Sequence, residues 1–120
     1  MKCTPVVTEL QEQIALFQWA ELRPDLRLMH HIPNGGRRDK RTAALMKKQG
    51  VKSGVPDIFL PKPVGRYHGL YIELKRADGG KTSENQEEWL RALRTEGYRC
   101  EVCHGWAAAA ETIKHYLEGI

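Results

Sequence analysis

Apolar residues recur along this chain at two spacings, every third or fourth position and every second position, and the switches between them mark out its elements. Leu10, Ile14, Phe17 and Leu22 form an apolar stripe at helical spacing. Thr8-Glu9-Leu10-Gln11 reads as a capping box that opens this helix, and Pro24 ends it. Leu26 to Ile32 reads as a short strand, stopped by the turn signal Pro33-Asn34-Gly35-Gly36. Arg38 to Gln49 is helical again and closed by Gly50. Its apolar content is thin (Ala43, Ala44, Leu45, Met46), which predicts a helix on the surface.

The second half alternates more cleanly. Val55 to Leu60 is a strand with proline at its beginning, where proline is tolerated. His68 to Lys75 is the next strand, and the short Pro61–Gly65 loop before it predicts an antiparallel hairpin. After the Asp78-Gly79-Gly80 turn, Ser83-Glu84-Asn85-Gln86 forms a second capping box. The helix it opens runs to about Glu96, with Trp89, Leu90 and Leu93 inward, and Gly97 caps it. Tyr98 to Cys103 reads as a strand and Trp106 to Leu117 as a last helix. The predicted order is α-β-α-β-β-α-β-α. It describes one α/β domain over residues 1–120 with a mixed central sheet flanked by helices. The strand-helix-strand unit from Tyr71 through Val102 predicts a right-handed crossover between parallel strands. The first turn of its helix, with Gln86, then lies near the end of the strand bearing Lys75.

Composition narrows the classes. A hydrophobic content of 41% excludes a disordered chain. No apolar run approaches the roughly 18–20 residues of a membrane span. Met1-Lys2-Cys3-Thr4-Pro5 lacks the apolar stretch of a secretory signal, so a cytoplasmic protein is expected. The net charge of +4 is mild, but its distribution is not. From Gly35 to Gly54, Arg37, Arg38, Lys40, Arg41, Lys47, Lys48 and Lys52 face only one acid, Asp39. Alone, such a run reads as a solvated helix face; beside a site for an anionic ligand it reads as a phosphate-contacting surface. Cys100 and Cys103 resemble a zinc half-site, yet no partner pair has the spacing to complete it, and they read as small apolar residues of a strand.

The candidate chemistry lies in Gly54-Val55-Pro56-Asp57 and Tyr71-Ile72-Glu73-Leu74-Lys75. Residues two apart in a strand share a face, so Tyr71, Glu73 and Lys75 point one way and Leu70, Ile72 and Leu74 the other. A carboxylate beside an ammonium, with a second carboxylate on the preceding strand, can hold a divalent cation and position a water for attack. A phosphodiester repels an anionic nucleophile, and more charge develops as the leaving oxygen departs. Magnesium answers both problems, bound through one or two carboxylates plus waters. Asp57 and Glu73 are the expected metal ligands, the Leu74 carbonyl is a further oxygen, and Lys75 is the group expected to contact the scissile phosphate or the attacking water.

These residues, taken with His31-Ile32-Pro33-Asn34-Gly35-Gly36, Ser83-x-x-Gln86 and Gly97-Tyr98 through Trp106, resemble the PD-(D/E)-x-K nuclease superfamily. The fuller pattern resembles its virus-type replication-repair nuclease (VRR-NUC) branch, in a stand-alone, phage-like form. The resemblance implies a restriction-endonuclease-like fold and Mg²⁺-dependent DNA cleavage, with Mn²⁺ as substitute. It implies metal binding by Asp57 and Glu73 and a catalytic role for Lys75. It also implies an acid of the first helix completing the metal site, Glu9 or Glu12, with Glu9 slightly preferred because it precedes Gln13 by four. Gln86 is either a residue that orients water or phosphate or simply half of its capping box. Asn34 and Gly35 allow a close approach to DNA or form a plain turn. Arg37, Arg38, Lys40, Arg41 and Lys52 are the expected phosphate contacts. Of His30 and His31, which face opposite ways, one is expected in the core and one near the site.

Small members of the family resemble Holliday-junction resolvases, so the expected substrate is branched DNA and the expected assembly a homodimer. The setting this implies is the cytoplasm of a bacterium or phage-infected cell. The competing expectation is a DNA-binding module of nuclease ancestry that needs a partner for activity.

Overall fold

The strand carrying Glu73 and Lys75 is the second from the edge of a four-stranded sheet. In the computed structural model, which describes residues 7–33 and 39–120, this strand is β3 (Leu70–Lys75). β2 (Ile58–Leu60) pairs with it antiparallel and β4 (Arg99–His104) parallel, as the hairpin and crossover patterns predict. β1 (His30–His31) lies antiparallel to β2, and the sheet order is β1-β2-β3-β4. With the helices α1 (Glu9–Ala20), α2 (Lys40–Lys48), α3 (Glu84–Thr95) and α4 (Trp106–Leu117), the element order is the one expected of this α/β domain.

Alternation along β3 divides the molecule. Leu70, Ile72 and Leu74 are almost fully buried, in one core with Ile58 and Leu60 of β2, Leu16 and Ala20 of α1, and Ile113 and Tyr116 of α4. Burying such a side chain contributes roughly 1.5–3 kcal/mol, so this face holds the sheet to α1 and α4. The opposite face carries Tyr71, Glu73 and Lys75. There α3 packs along β4, and its Gln86 reaches Glu73 and Lys75.

Both capping boxes form, at Thr8 and at Ser83. Asp39 caps α2 by accepting the Thr42 N–H at 2.7 Å. As its thin apolar content predicts, α2 has no buried residue.

The inward stripe of α1 differs from the one expected. Leu10 and Ile14 are exposed, and Leu22 lies beyond the helix end at 82% exposure. The buried row is Glu12, Leu16 and Ala20 at i, i+4 spacing, with Phe17 partly packed beside it. A charged residue at one end of this row and a small one at the other hide it from a reading based on large apolar residues. The strand expected over Leu26–Ile32 shrinks to two residues, because Pro24–Leu26 turns as a 3₁₀ helix that drops Leu26 into the core. Neither His30 nor His31 is in the core; both are exposed on this short edge strand.

Candidate metal-binding active site

Antiparallel pairing builds the site. Ile58 lies opposite Ile72, so one step outward Asp57 faces Glu73 at the end of the β2–β3 ladder. The Asp57 Oδ2 accepts the Leu74 N–H at 2.8 Å, and the Asp57 carbonyl accepts the Ile32 N–H at 2.7 Å. One residue thereby clamps β1 and β3 while its second carboxylate oxygen, Oδ1, stays out of the Leu74 bond. His31 also reaches the Asp57 carbonyl, through Nδ1 at 2.9 Å.

Glu73 is 2% exposed and Lys75 8%. The Lys75 Nζ stands 3.3 Å from Glu73 Oε2 and donates to Gln86 Oε1 at 3.0 Å. Gln86 Nε2 donates to the same Glu73 Oε2 at 3.1 Å. Gln86 is thus half of its capping box and at the same time a partner of the Glu73–Lys75 pair. Its Oε1 accepts the Ser83 N–H at 2.9 Å, completing the capping box, and the box holds its amide against Glu73 and Lys75.

The other Glu73 oxygen, Oε1, is buried with no hydrogen-bond partner among the described residues. Such a group is costly in the absence of a partner. Burial pushes the Glu73 carboxyl up to about 8, and the Asp57 carboxylate pushes the same way against the pull of Lys75. One ammonium does not balance two apposed carboxylates here. The donor set is oxygen only, with one buried oxygen unmatched, and this fits a hard divalent cation. Among the described residues no three His, Cys, Asp or Glu side chains converge as a ready metal cluster, so the carboxylate pair would share the ion with waters or backbone oxygens.

The turn before Asp57 is anchored on α3. Gly54 has φ +91°, and a Cβ there would lie 2.8 Å from Asn85 and 2.9 Å from Trp89. Asn85 Nδ2 donates to the Ser53 carbonyl at 2.9 Å and lies 2.8 Å from its hydroxyl. The helix that delivers Gln86 therefore also positions the segment that delivers Asp57. Asn85 and Ser53 escape a sequence reading, since their only signal is adjacency to Gln86 and Gly54.

The two acids of α1 separate. Glu9 is exposed in the first turn, whereas Glu12 is 5% exposed and heads the buried row. Glu12 Oε1 accepts the Trp106 N–H at 3.2 Å, at the start of α4, where Gly105 provides no side-chain cap. Gly105 N–H in turn donates to the Lys75 carbonyl at 2.9 Å. Glu12 thus lies at the end of β3 that carries Lys75, and Glu9 does not share its burial.

Of the expected phosphate contacts, Lys40, Arg41 and Lys52 are exposed, the first two in the opening turn of α2. Asn34, Gly35, Arg37 and Arg38 lie outside the described residues. Cys100 and Cys103 are both buried. They sit three apart on β4, so they face opposite sides of the sheet, and Cys103 Sγ meets Thr112 of α4 at 3.5 Å. They form no shared zinc half-site. No helix among the described residues is long and apolar enough to cross a membrane.

The fold has a counterpart among known proteins. The VRR-NUC domain family matches residues 7–107. A solved structure described as a VRR_NUC domain protein superposes with a TM-score of 0.82 at 30% sequence identity, covering 99% of this chain and 93% of the other. A search of curated proteins found no match.

Proposed function

This chain belongs to the VRR-NUC family, and on that premise we propose that it is a metal-dependent endonuclease that hydrolyses phosphodiester bonds in DNA. We place its preference in branched structures, cut by a homodimer whose two sites address two strands. The observation that carries the reading is the apposed Asp57–Glu73 pair with Glu73 Oε1 buried and unmatched, beside a lysine held at 3.3 Å.

Asp57 and Glu73 would hold Mg²⁺, or Mn²⁺ in its place, with the Leu74 carbonyl and Glu12 or Glu9 as further candidate oxygens. The ion supplies charge stabilisation at the phosphoryl oxygens and a more acidic water. The chain's own residues do the rest. Lys75 brings a positive charge to the scissile phosphate and stabilises the charge that develops there, or takes part in activating the attacking water. Gln86 and Glu73 hold its Nζ in one place, so little reorganisation is needed when the substrate arrives. Asp57, fixed through Leu74, keeps the two carboxylates facing each other. Lys40, Arg41 and Lys52, with Arg37 and Arg38, contact DNA phosphates, and Asn34-Gly35 lets the backbone approach closely.

The test is a cleavage panel of labelled flap, fork, four-way-junction and linear DNA, with Mg²⁺, Mn²⁺ or EDTA. The expected result is metal-dependent cutting that favours a branched substrate. Binding without cutting under every condition would instead identify a DNA-binding module that lacks activity alone. Equal cutting of linear and branched DNA would remove the structural preference.

A further inference from the structure

On the sheet face that carries Glu73 and Lys75, a row of rings crosses the strands beside them. Tyr71 lies two residues before Glu73 on the same face, about 7 Å along the strand, and Phe59 lies two residues after Asp57. Phe59 and Tyr71 stack with centroids 4.3 Å apart and planes at 19°. Tyr98 meets Tyr71 edge-on at 5.3 Å and Phe59 at 5.8 Å. His30 stands against Phe59 and His68 against Tyr98, each at 5.8 Å. The row is held close by small neighbours: a Cβ on Gly69 would come 2.8 Å from Phe59, and one on Gly97 would come 2.6 Å from His68.

None of these rings belongs to the apolar core. Phe59, Tyr71 and Tyr98 are half-buried, and both histidines are exposed. Past Tyr98 the row opens into a groove of about 420 Å³ lined by Arg66, Arg94 and Arg99. Its one acidic lining residue, Glu101, is paired with Arg99 at 3.2 Å. Rings therefore lie between a site for a phosphodiester on one side and an arginine-lined groove on the other.

Arg99 follows Tyr98 directly and points to the other face of the sheet, so the track turns over the β4 edge as it enters the groove. That sequence of chemistry matches a nucleic-acid strand: phosphate, bases, phosphate. We propose that the Phe59–Tyr71–Tyr98 row is a stacking platform for the unpaired bases of a DNA strand whose backbone runs from the Glu73–Lys75 site to the arginine groove. The proposal rests on the nuclease reading for the identity of its ligand. Every base offers a π-face, so the platform takes unpaired bases with little regard to sequence. Bases inside a duplex already stack on one another and have no free face to offer. The platform therefore selects substrates with a single-stranded segment beside the cut.

The test is equilibrium binding of a short labelled oligo-dT in EDTA, where no cutting occurs, against a blunt duplex of equal length. Wild-type protein is expected to bind oligo-dT. Tyr71→Ala and Tyr98→Ala are each expected to weaken that binding about 5- to 100-fold, as loss of one stacked base predicts, with the duplex affected less than about two-fold. Thermal melting shows whether these variants remain folded. The surface variants His68→Ala and Arg66→Glu, whose native side chains are exposed, test the same track without disturbing the sheet, and each is expected to weaken oligo-dT binding several-fold.

Absence of oligo-dT binding in wild type, unchanged binding in folded variants, or equal loss for oligo-dT and duplex would overturn the platform. So would a wild-type dimer that becomes monomeric in Tyr71→Ala with oligo-dT binding intact, because the face would then belong to a second copy. A protein that shows the expected binding pattern but cuts no DNA would contradict the nuclease reading alone. One that cuts DNA while its ring variants bind oligo-dT normally would contradict the platform alone.

Discussion

At Glu73, burial and the facing Asp57 carboxylate raise the carboxyl to about 8, well above the value near 4.5 that an unfolded chain has. Between those two values the folded protein retains a proton that the unfolded chain has lost. The stability contributed by this group is therefore full below about pH 4.5 and is lost as pH rises through about 8. Glu73→Gln is expected to remove that loss. In metal-free buffer above pH 8 it should be more stable than wild type by about 1–3 kcal/mol, the usual cost of a buried group without a partner. The advantage should shrink as the pH falls towards 4.5. Thermal melts across this range check it, and a variant less stable than wild type at high pH would contradict the account. For Lys75, the expected effect concerns rate. Lys75→Ala should lower kcat by about 10²–10³-fold, as removal of one charge-stabilising donor does elsewhere.

Among the elements, the first helix and the Gly54 turn carry the sharpest expectations. Glu12→Ala should cost about 1–2 kcal/mol, because it uncaps α4 from outside that helix. Glu9→Ala should stay within about 0.5 kcal/mol, as surface changes do. Gly54→Ala should cost about 1–3 kcal/mol, since it meets both a positive φ and the side chains of Asn85 and Trp89. Chemical denaturation separates these outcomes. The same elements show what a sequence discloses. β3 and its two faces were legible because alternation is local and both faces are chemically distinct. The caps at Thr8 and Ser83 were legible because each depends on residues three apart. The inward face of α1 was not, because Leu10 and Ile14 outweigh Ala20 in any hydrophobic pattern, and only the position of α4 decides which row is covered. The bonds of Gln86 to Glu73 and Lys75 and the Asn85–Ser53 anchor depend on how α3 lies across the sheet, which no local spacing encodes.

For the whole molecule, the fold and family were legible because the carboxylate–lysine set, the hairpin and the crossover all specify one arrangement of strands. Assembly and substrate are properties of surfaces, which carry weaker patterns. The exposed Arg41 and Lys52 lead to a definite expectation even so. The double variant Arg41→Ala/Lys52→Ala should reduce the slope of log K against log salt for duplex DNA by about 2, roughly one per lost phosphate contact. An unchanged slope would remove these residues from the DNA surface. Light scattering tests the homodimer, and a species of only 13.7 kDa at working concentration would exclude a two-site mechanism. The most direct test of the proposed metal-dependent cleavage is the initial rate of cutting of one labelled four-way-junction DNA in Mg²⁺ by wild-type protein and by Asp57→Ala. Cutting by wild type and none by the variant is the expected result; full activity in Asp57→Ala would overturn metal-dependent cleavage at the Asp57–Glu73 pair.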